Sequence, residues 1–237
     1  MQAAPSPTTR PAGGFTLTEL LVVIAIIAVL AALLMSVFGK VQATAVKAQV
    51  AADMKSLKVA FVSYYTDYRR YPINDIQKFA SENYGMEDTV YGDPNGTYKS
   101  RDLFNILRAQ DDDFFNQNDH LNANATVYWS GPFVKNPSKP VSGITTADYD
   151  TNGYRINKGG LVDPWGHEYV VWFDIHFDGD LSAAAHWFYQ DIADDSGKVH
   201  PGEPPMGFAI GSLGPDGKFG KNGNHILAGS DDIVTWQ

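Results

Sequence analysis

The chain opens on a polar stretch, MQAAPSPTTRPAGG, and then turns abruptly apolar. Residues 20–34, LLVVIAIIAVLAALL, are an unbroken apolar run, and the 24 residues from Phe15 to Phe38 hold a single charge, Glu19. At 1.5 Å per residue this predicts a helix of ~36 Å, enough to cross a ~30 Å hydrocarbon core. A cleaved secretory signal has a shorter apolar stretch and a small-residue cleavage site after it, and neither pattern is present. From Lys40 to Arg70 there is no glycine or proline, and Val46, Val50, Met54, Leu57, Phe61, Tyr64 and Tyr68 recur at spacings of three and four. Gln49, Asp53, Lys55, Lys58 and Asp67 take the other faces. That pattern predicts an amphipathic helix continuing the span. Pro72 drives Tyr71 out of helical geometry, so one helix is expected from Phe15 to about residue 69, ~80 Å long.

The pattern then loosens. Residues 71–160 read as a variable region of short helices and loops: a helix over Asn74–Ser81, and another capped by Ser100 and carrying Leu103, Phe104, Ile106 and Leu107. Asp111-Asp112-Asp113 reads as a solvated helix end, and Asn95-Gly96 and Asn152-Gly153 as turns. Residues 161–237 read as β structure, with strands over Glu168–Ile175, His186–Ile192 and Met206–Leu213, rich in aromatic and β-branched residues. An antiparallel sheet with the apolar helix stripe on one face is an α+β arrangement.

Charge sharpens the picture. The net charge of −9 is unevenly spread: residues 71–237 hold 24 Asp/Glu against 11 Lys/Arg. So acidic a head repels phosphate backbones, which argues against direct nucleic-acid contact. There is no cysteine, which excludes disulfides and thiolate chemistry. The histidines (120, 167, 176, 186, 200 and 225) are scattered, and neither HExxH, G-x-S-x-G nor a phosphate-binding glycine loop occurs. Asp163 and Glu168 are explained more simply by a strand-entry turn than as a catalytic pair. Catalysis is not expected.

Glu19 is the anomaly. A carboxylate near one end of a membrane span costs roughly 2.5–3.5 kcal/mol and needs a partner. Either Glu19 sits near the interface and snorkels, or, if the chain is cut between Gly14 and Phe15, the new α-amino group of a neighbouring copy neutralises it and sets subunit register. The run Gly13-Gly14-Phe15-Thr16-Leu17-Thr18-Glu19-Leu20-Leu21-Val22 resembles the class III signal of type IV pilins and type II secretion pseudopilins. The resemblance implies cleavage after Gly14 by a membrane aspartyl peptidase, N-methylation of Phe15, and assembly through Glu19 and Thr16. Ser36 stands about where many members carry proline, leaving Gly39 as the nearest helix breaker. Further segments, Tyr71-Pro72, Asp163-Pro164-Trp165-Gly166-His167-Glu168-Tyr169, Ser212-Leu213-Gly214-Pro215-Asp216-Gly217 and Asp231-Asp232-Ile233-Val234-Thr235-Trp236, resemble the major (G-type) pseudopilin of type II secretion.

Calcium takes six to eight hard oxygens. The tail offers Asp216, Asp231 and Asp232 among glycines. The resemblance implies one Ca²⁺ held by these carboxylates with backbone oxygens near Leu213 and Ser230. Asp174, His176, Asp178, Gly179 and Asp180 echo the start of an EF-hand loop, but Ala185 stands where the closing glutamate belongs, so a turn is the better reading. Trp165, Trp172, Phe173, Trp187 and Phe188 offer either a sugar platform or core packing, and core packing is favoured.

The expected protein is thus a pilin-like lollipop. It has a 1–14 leader, a 15–38 membrane half and a 39–70 amphipathic half of one helix, a 71–160 variable region, and a 161–237 sheet with a calcium loop. The resemblance implies a non-enzymatic subunit anchored once in the inner membrane with its head in the periplasm. Its expected partners are further copies of itself in a helical filament, minor pseudopilins, a prepilin peptidase and an inner-membrane secretion platform. The alternatives are a type IV pilin or competence pseudopilin and, less favoured, a membrane-tethered periplasmic glycan-binding protein or enzyme.

Overall fold

A computed structural model of the chain describes residues 16–73, 89–94, 96, 98–110, 121–151, 154–175, 179–181, 189–192 and 207–235. Gly14 and Phe15, the helix expected over Asn74–Ser81, the Asp111-Asp112-Asp113 run, Asn95 and the Asn152-Gly153 turn lie outside the described residues.

The apolar run and the amphipathic stripe form one uninterrupted 52-residue helix, α1 (Leu17–Tyr68). It passes straight through Gly39, whose single missing side chain costs ~1 kcal/mol against alanine, too little to break so long a ladder. The helix ends where Arg69 turns left-handed (φ 54°) while its N–H still reaches the Tyr65 carbonyl at 2.8 Å, with Pro72 just beyond. The chain divides into two compact units, Met1–Ala45 and Val46–Gln237. In the first, Leu20, Ile24, Ile27 and Leu34 all point outward, so the helix shows apolar surface all round. It is long and apolar enough to cross a membrane.

In the second unit the sheet has four antiparallel strands in the order β1 (Thr89–Tyr91), β6 (Val170–Phe173), β7 (Phe208–Ser212), β8 (Ile233–Val234). Two small antiparallel pairs lie beside it in sequence: β2 (Gly143–Ile144) with β5 (Leu161–Val162), and β3 (Tyr149–Thr151) with β4 (Tyr154–Ile156). The fold is α+β, as expected. Side chains alternate across the central strands with the two-residue period of a sheet. Val171, Phe173, Phe208 and Ile210 face the α1 stripe of Val50, Met54, Leu57, Phe61 and Tyr64 in one core. Val170, Trp172 and Ala209 face the other way, into a second core with Leu213, Phe219, Leu227 and Val234. Phe61 sits edge-on to Phe173 and Phe208, with ring centroids 5.3 and 5.1 Å away. Trp172 and Phe173 are therefore core residues and not a sugar platform, while Trp187 and Phe188 lie outside the described residues.

Three expectations need correction. The strand expected over Glu168–Ile175 is confined to Val170–Phe173, because Glu168 makes an isolated bridge with Val162 and the Asp174 side chain bends back to the Gly179 N–H at 2.9 Å. In the strand expected over His186–Ile192, the described residues 189–192 form no strand, and the Gln190 N–H instead donates to the His225 carbonyl. Helix α2 (Ser100–Leu107) exists, but Lys99 holds the N-cap position with no side-chain cap. The Ser100 hydroxyl is diverted to the carboxylate of buried Glu168.

Candidate functional site

Two places gather the residues singled out in the sequence. At the start of α1, the Thr16 hydroxyl accepts the Glu19 N–H at 3.3 Å, and the Glu19 carboxylate accepts the Thr16 N–H at 2.8 Å and its hydroxyl at 2.7 Å. This reciprocal arrangement is a capping box, and T-x-x-E at residues 16–19 is its signature in the sequence. It satisfies donors that the first helical turn leaves unpaired and places a negative group at the positive helix end. Gly14 and Phe15, the residues expected to be cut and methylated, are outside the described residues.

The second place is the C-terminal tail. β7 and β8 pair antiparallel with Gly211 opposite Val234 and Ser212 opposite Ile233. The residues leaving β7 therefore lie against those entering β8, and that register carries Leu213–Asp216 toward Ser230–Asp232. Gly214 (φ 63°) makes the close approach possible, since a β-carbon there would lie 2.7 Å from the Asp231 carbonyl oxygen. Carboxylate oxygens of Asp216, Asp231 and Asp232 come within 4.8 Å of one another.

Two of these acids, Asp216 and Asp232, are held by the loop around them. Asp216 accepts the N–H groups of Lys218 (2.9 Å) and Asn222 (2.7 Å), pinning the 3₁₀ turn Lys221–Gly223. Asp232 is buried, and its Oδ2 accepts the Gly220 N–H at 2.6 Å and the Tyr189 hydroxyl at 2.9 Å. Its Oδ1 is buried with no hydrogen-bond donor. Burial first, then the charges of Asp231 and Asp216, push the Asp232 carboxyl up to about 6. Clustered acids with an orphaned buried oxygen are the donor set of a hard divalent cation, so the residues present fit calcium. The Asp232 N–H donates to the Ser230 hydroxyl at 3.2 Å, and Leu213 and Ser230 lie on the two converging arms.

A buried polar clip supports this tail, and the sequence displayed only its separate pieces. Asp163 is fully buried; its Oδ1 accepts the N–H groups of Trp165 (2.9 Å), Gly166 (2.9 Å) and His167 (3.0 Å). Its Oδ2 accepts the Ser212 hydroxyl at 2.6 Å, joining the Asp-Pro-Trp-Gly turn to the end of β7. Burial raises the Asp163 carboxyl above its ordinary range, opposed by the Ser212 hydrogen bond. His167 Nδ1 lies 2.9 Å from the Gly214 carbonyl oxygen, and a β-carbon on Gly217 (φ 66°) would be 2.4 Å from its Nε2. Asp163 and Glu168 thus have separate partners. Of the EF-hand-like run, 176–178 lie outside the described residues, and buried Asp174 accepts the Gly179 N–H through Oδ2 while its Oδ1 has no donor.

Residues 9–35 match the model for the prokaryotic N-terminal methylation motif. This supports a type IV prepilin-like protein, a pilin-like or pseudopilin subunit. Proteins of that kind are structural subunits, and the motif implies processing by a prepilin peptidase and assembly into a filament. The single long apolar helix is compatible with the membrane anchor of such a subunit. Neither the curated proteins nor the solved structures yield a match to this chain.

Proposed function

We propose that this chain is a structural subunit of a type II secretion pseudopilus, of the G-type major class. Copies cleaved after Gly14 and methylated on Phe15 assemble from the inner membrane through Glu19 and the apolar half of α1. The growing filament, with its minor pseudopilins and inner-membrane platform, moves folded proteins across the outer membrane. The head, residues 71–237, lies in the periplasm. Thr16 and Glu19 position the helix start, and Glu19 meets the new amine of the next copy.

The observation that carries the subtype is the tail, in which the SLGPDG and DDIVTW segments, resembling those of that subunit, meet at one carboxylate cluster clipped to the DPWG turn. Asp216, Asp231 and Asp232, with backbone oxygens of Leu213 and Ser230, would hold one Ca²⁺. The ion supplies positive charge among three acids and so fastens the C-terminal loop.

Intact-mass spectrometry of protein extracted from membranes tests processing: loss of residues 1–14 plus one methyl group is expected, and an uncut, unmodified chain overturns the reading. Secretion tests the subtype. Deleting the gene, or Glu19→Ala, is expected to leave exported proteins in the periplasm. Normal export with loss of surface pili or of DNA uptake would reassign the subunit to a pilus or competence system. Asp232→Ala is expected to abolish saturable calcium binding and weaken filament formation; unchanged calcium affinity overturns the metal assignment.

A further inference from the structure

Residues 174–207 connect β6 to β7, and their described stretch 189–192 is bound to the tail loop that carries the three clustered acids. The Gln190 N–H donates to the His225 carbonyl at 2.8 Å, and the Asp191 carboxylate accepts the Leu227 and Ala228 N–H groups at 2.7 and 2.8 Å. The Tyr189 ring is fully buried in the second core and meets Phe219 edge-on, with centroids 5.8 Å apart. Its hydroxyl donates to Asp232 Oδ2 at 2.9 Å, and so reaches an acid of the cluster from outside the tail.

Asp232 uses its two oxygens unequally. Oδ2 takes two donors, the Tyr189 hydroxyl and the Gly220 N–H at 2.6 Å, whereas buried Oδ1 takes none. Two donors on one oxygen fix the rotation of the carboxylate. They are not equivalent: Gly220 moves with the loop it belongs to, while Tyr189 is set in the core and supplies a fixed reference. Burial first, then the charge of Asp232, hold the Tyr189 hydroxyl above its ordinary range, so it remains a donor at neutral pH. A hydroxyl serving only to satisfy a buried carboxylate would leave the neighbouring oxygen bare at full desolvation cost. One oxygen doubly bonded and the other empty, in a group whose carboxylate comes within 4.8 Å of those of Asp216 and Asp231, is the arrangement of an oriented ligand.

We infer that Tyr189 is a positioning residue for the tail's cation, an inference that rests on the calcium reading above. Its hydroxyl holds Oδ2 so that Oδ1 is presented, already turned and desolvated, to an ion shared with Asp216 and Asp231. Partners that orient a ligand without touching the metal set much of a site's affinity. The coupling is reciprocal: an ion that fixes Asp232 also fixes the acceptor of Tyr189, so calcium tightens the hold of the tail on 189–192. The cation then fastens the β6–β7 connection as well as the C-terminal loop.

The test is calorimetric titration of calcium into the chelator-treated full-length protein in detergent micelles, with urea midpoints measured with and without calcium. Tyr189→Phe keeps the ring against Phe219 and removes only the hydroxyl. It should bind calcium ~tenfold or more weakly than the parent. Its urea midpoint should fall further with calcium present than without, because weaker binding adds less stability. A merely structural hydroxyl would lower both midpoints equally and leave the affinity alone. Tyr128→Phe, which removes a hydroxyl bonded to Asp67 on α1 at 2.7 Å, should leave calcium affinity unchanged. In the parent, calcium should slow hydrogen exchange of the Gln190 N–H, and less so in Tyr189→Phe. The inference is overturned if Tyr189→Phe binds calcium as tightly as the parent, if both midpoints fall equally, or if calcium leaves Gln190 exchange unchanged in the parent. A parent that binds no calcium overturns the metal reading and this inference with it, a result distinguishable from the other three, in which the parent binds.

Discussion

Removing the Asp163 carboxylate tests whether the DPWG turn and the tail form one polar unit. In Asp163→Ala, the N–H groups of Trp165 and His167 lose their acceptor in a fully buried site. The Gly166 N–H keeps a second bond, to the Asp163 backbone carbonyl at 3.1 Å, and the Ser212 hydroxyl can rotate away. A buried donor left unsatisfied costs ~1–3 kcal/mol, so two of them, partly relieved by entering water and by deleting a buried charge, predict a loss of ~3 kcal/mol. Asp163→Asn behaves differently. Its amide oxygen retains the N–H acceptor, and its NH₂ donates to the Ser212 oxygen, which reverses its role at little cost. The asparagine variant should therefore stay within ~1 kcal/mol of the parent at neutral pH. Urea unfolding of the full-length protein in detergent micelles, followed by tryptophan fluorescence, measures both values. Hydrogen exchange should show faster exchange over 212–217 in the alanine variant only. An alanine variant within ~0.5 kcal/mol of the parent, or an asparagine variant as damaged as alanine, would refute the reasoning.

The other predictions concern different parts of the head. Burial pushes the Glu168 carboxyl up to about 7, against the opposing Ser100 hydrogen bond. The unfolded chain releases that proton first, so stability should fall as pH rises from about 4.5 to about 7, by ~3 kcal/mol at most. Glu168→Gln should flatten this slope in urea midpoints measured across pH, and an unchanged slope would show that another group is responsible. Phe61→Ala, opening a void against Phe173 and Phe208, should cost ~3–5 kcal/mol in the same assay. Gly217→Ala should drive a β-carbon into the His167 ring, displacing the His167 Nδ1 resonance by NMR and loosening the tail, whereas Gly179→Ala, with no neighbour nearby, should leave that resonance in place.

The parts of the fold that a periodicity governs were readable in advance. α1 was legible because seven stripe positions and the lack of a strong breaker all point one way, and β7 because a short apolar run with an aromatic and a β-branched residue is bounded by proline and glycine. β1 was not legible: three residues, Thr89–Tyr91, carry too little pattern, and they form a strand only because Val171–Phe173 presents an edge to them. Of the strand expected over His186–Ile192, the described residues 189–192 form none: the Gln190 N–H goes to the His225 carbonyl and the Asp191 carboxylate takes the Leu227 and Ala228 N–H groups, partners that no local window contains. Asp216 and Asp232 could be nominated as candidates from residue type and resemblance, but their convergence follows from the β7–β8 register. Ser100 shows the same limit from the other side. As a residue type it suits a helix cap, but a buried glutamate distant in sequence outbids the local role.

The hydrogen bonds between Thr16 and Glu19 alter what joining a filament would mean for this chain. The Thr16 N–H survives a cut after Gly14, so a processed monomer waiting in the bilayer already shelters its acid within its own first turn. On the proposed reading, docking is then an exchange of one set of donors for another and not the rescue of a bare ion. Such an exchange keeps the solitary form tolerable in lipid and leaves the incoming amine only a modest net gain.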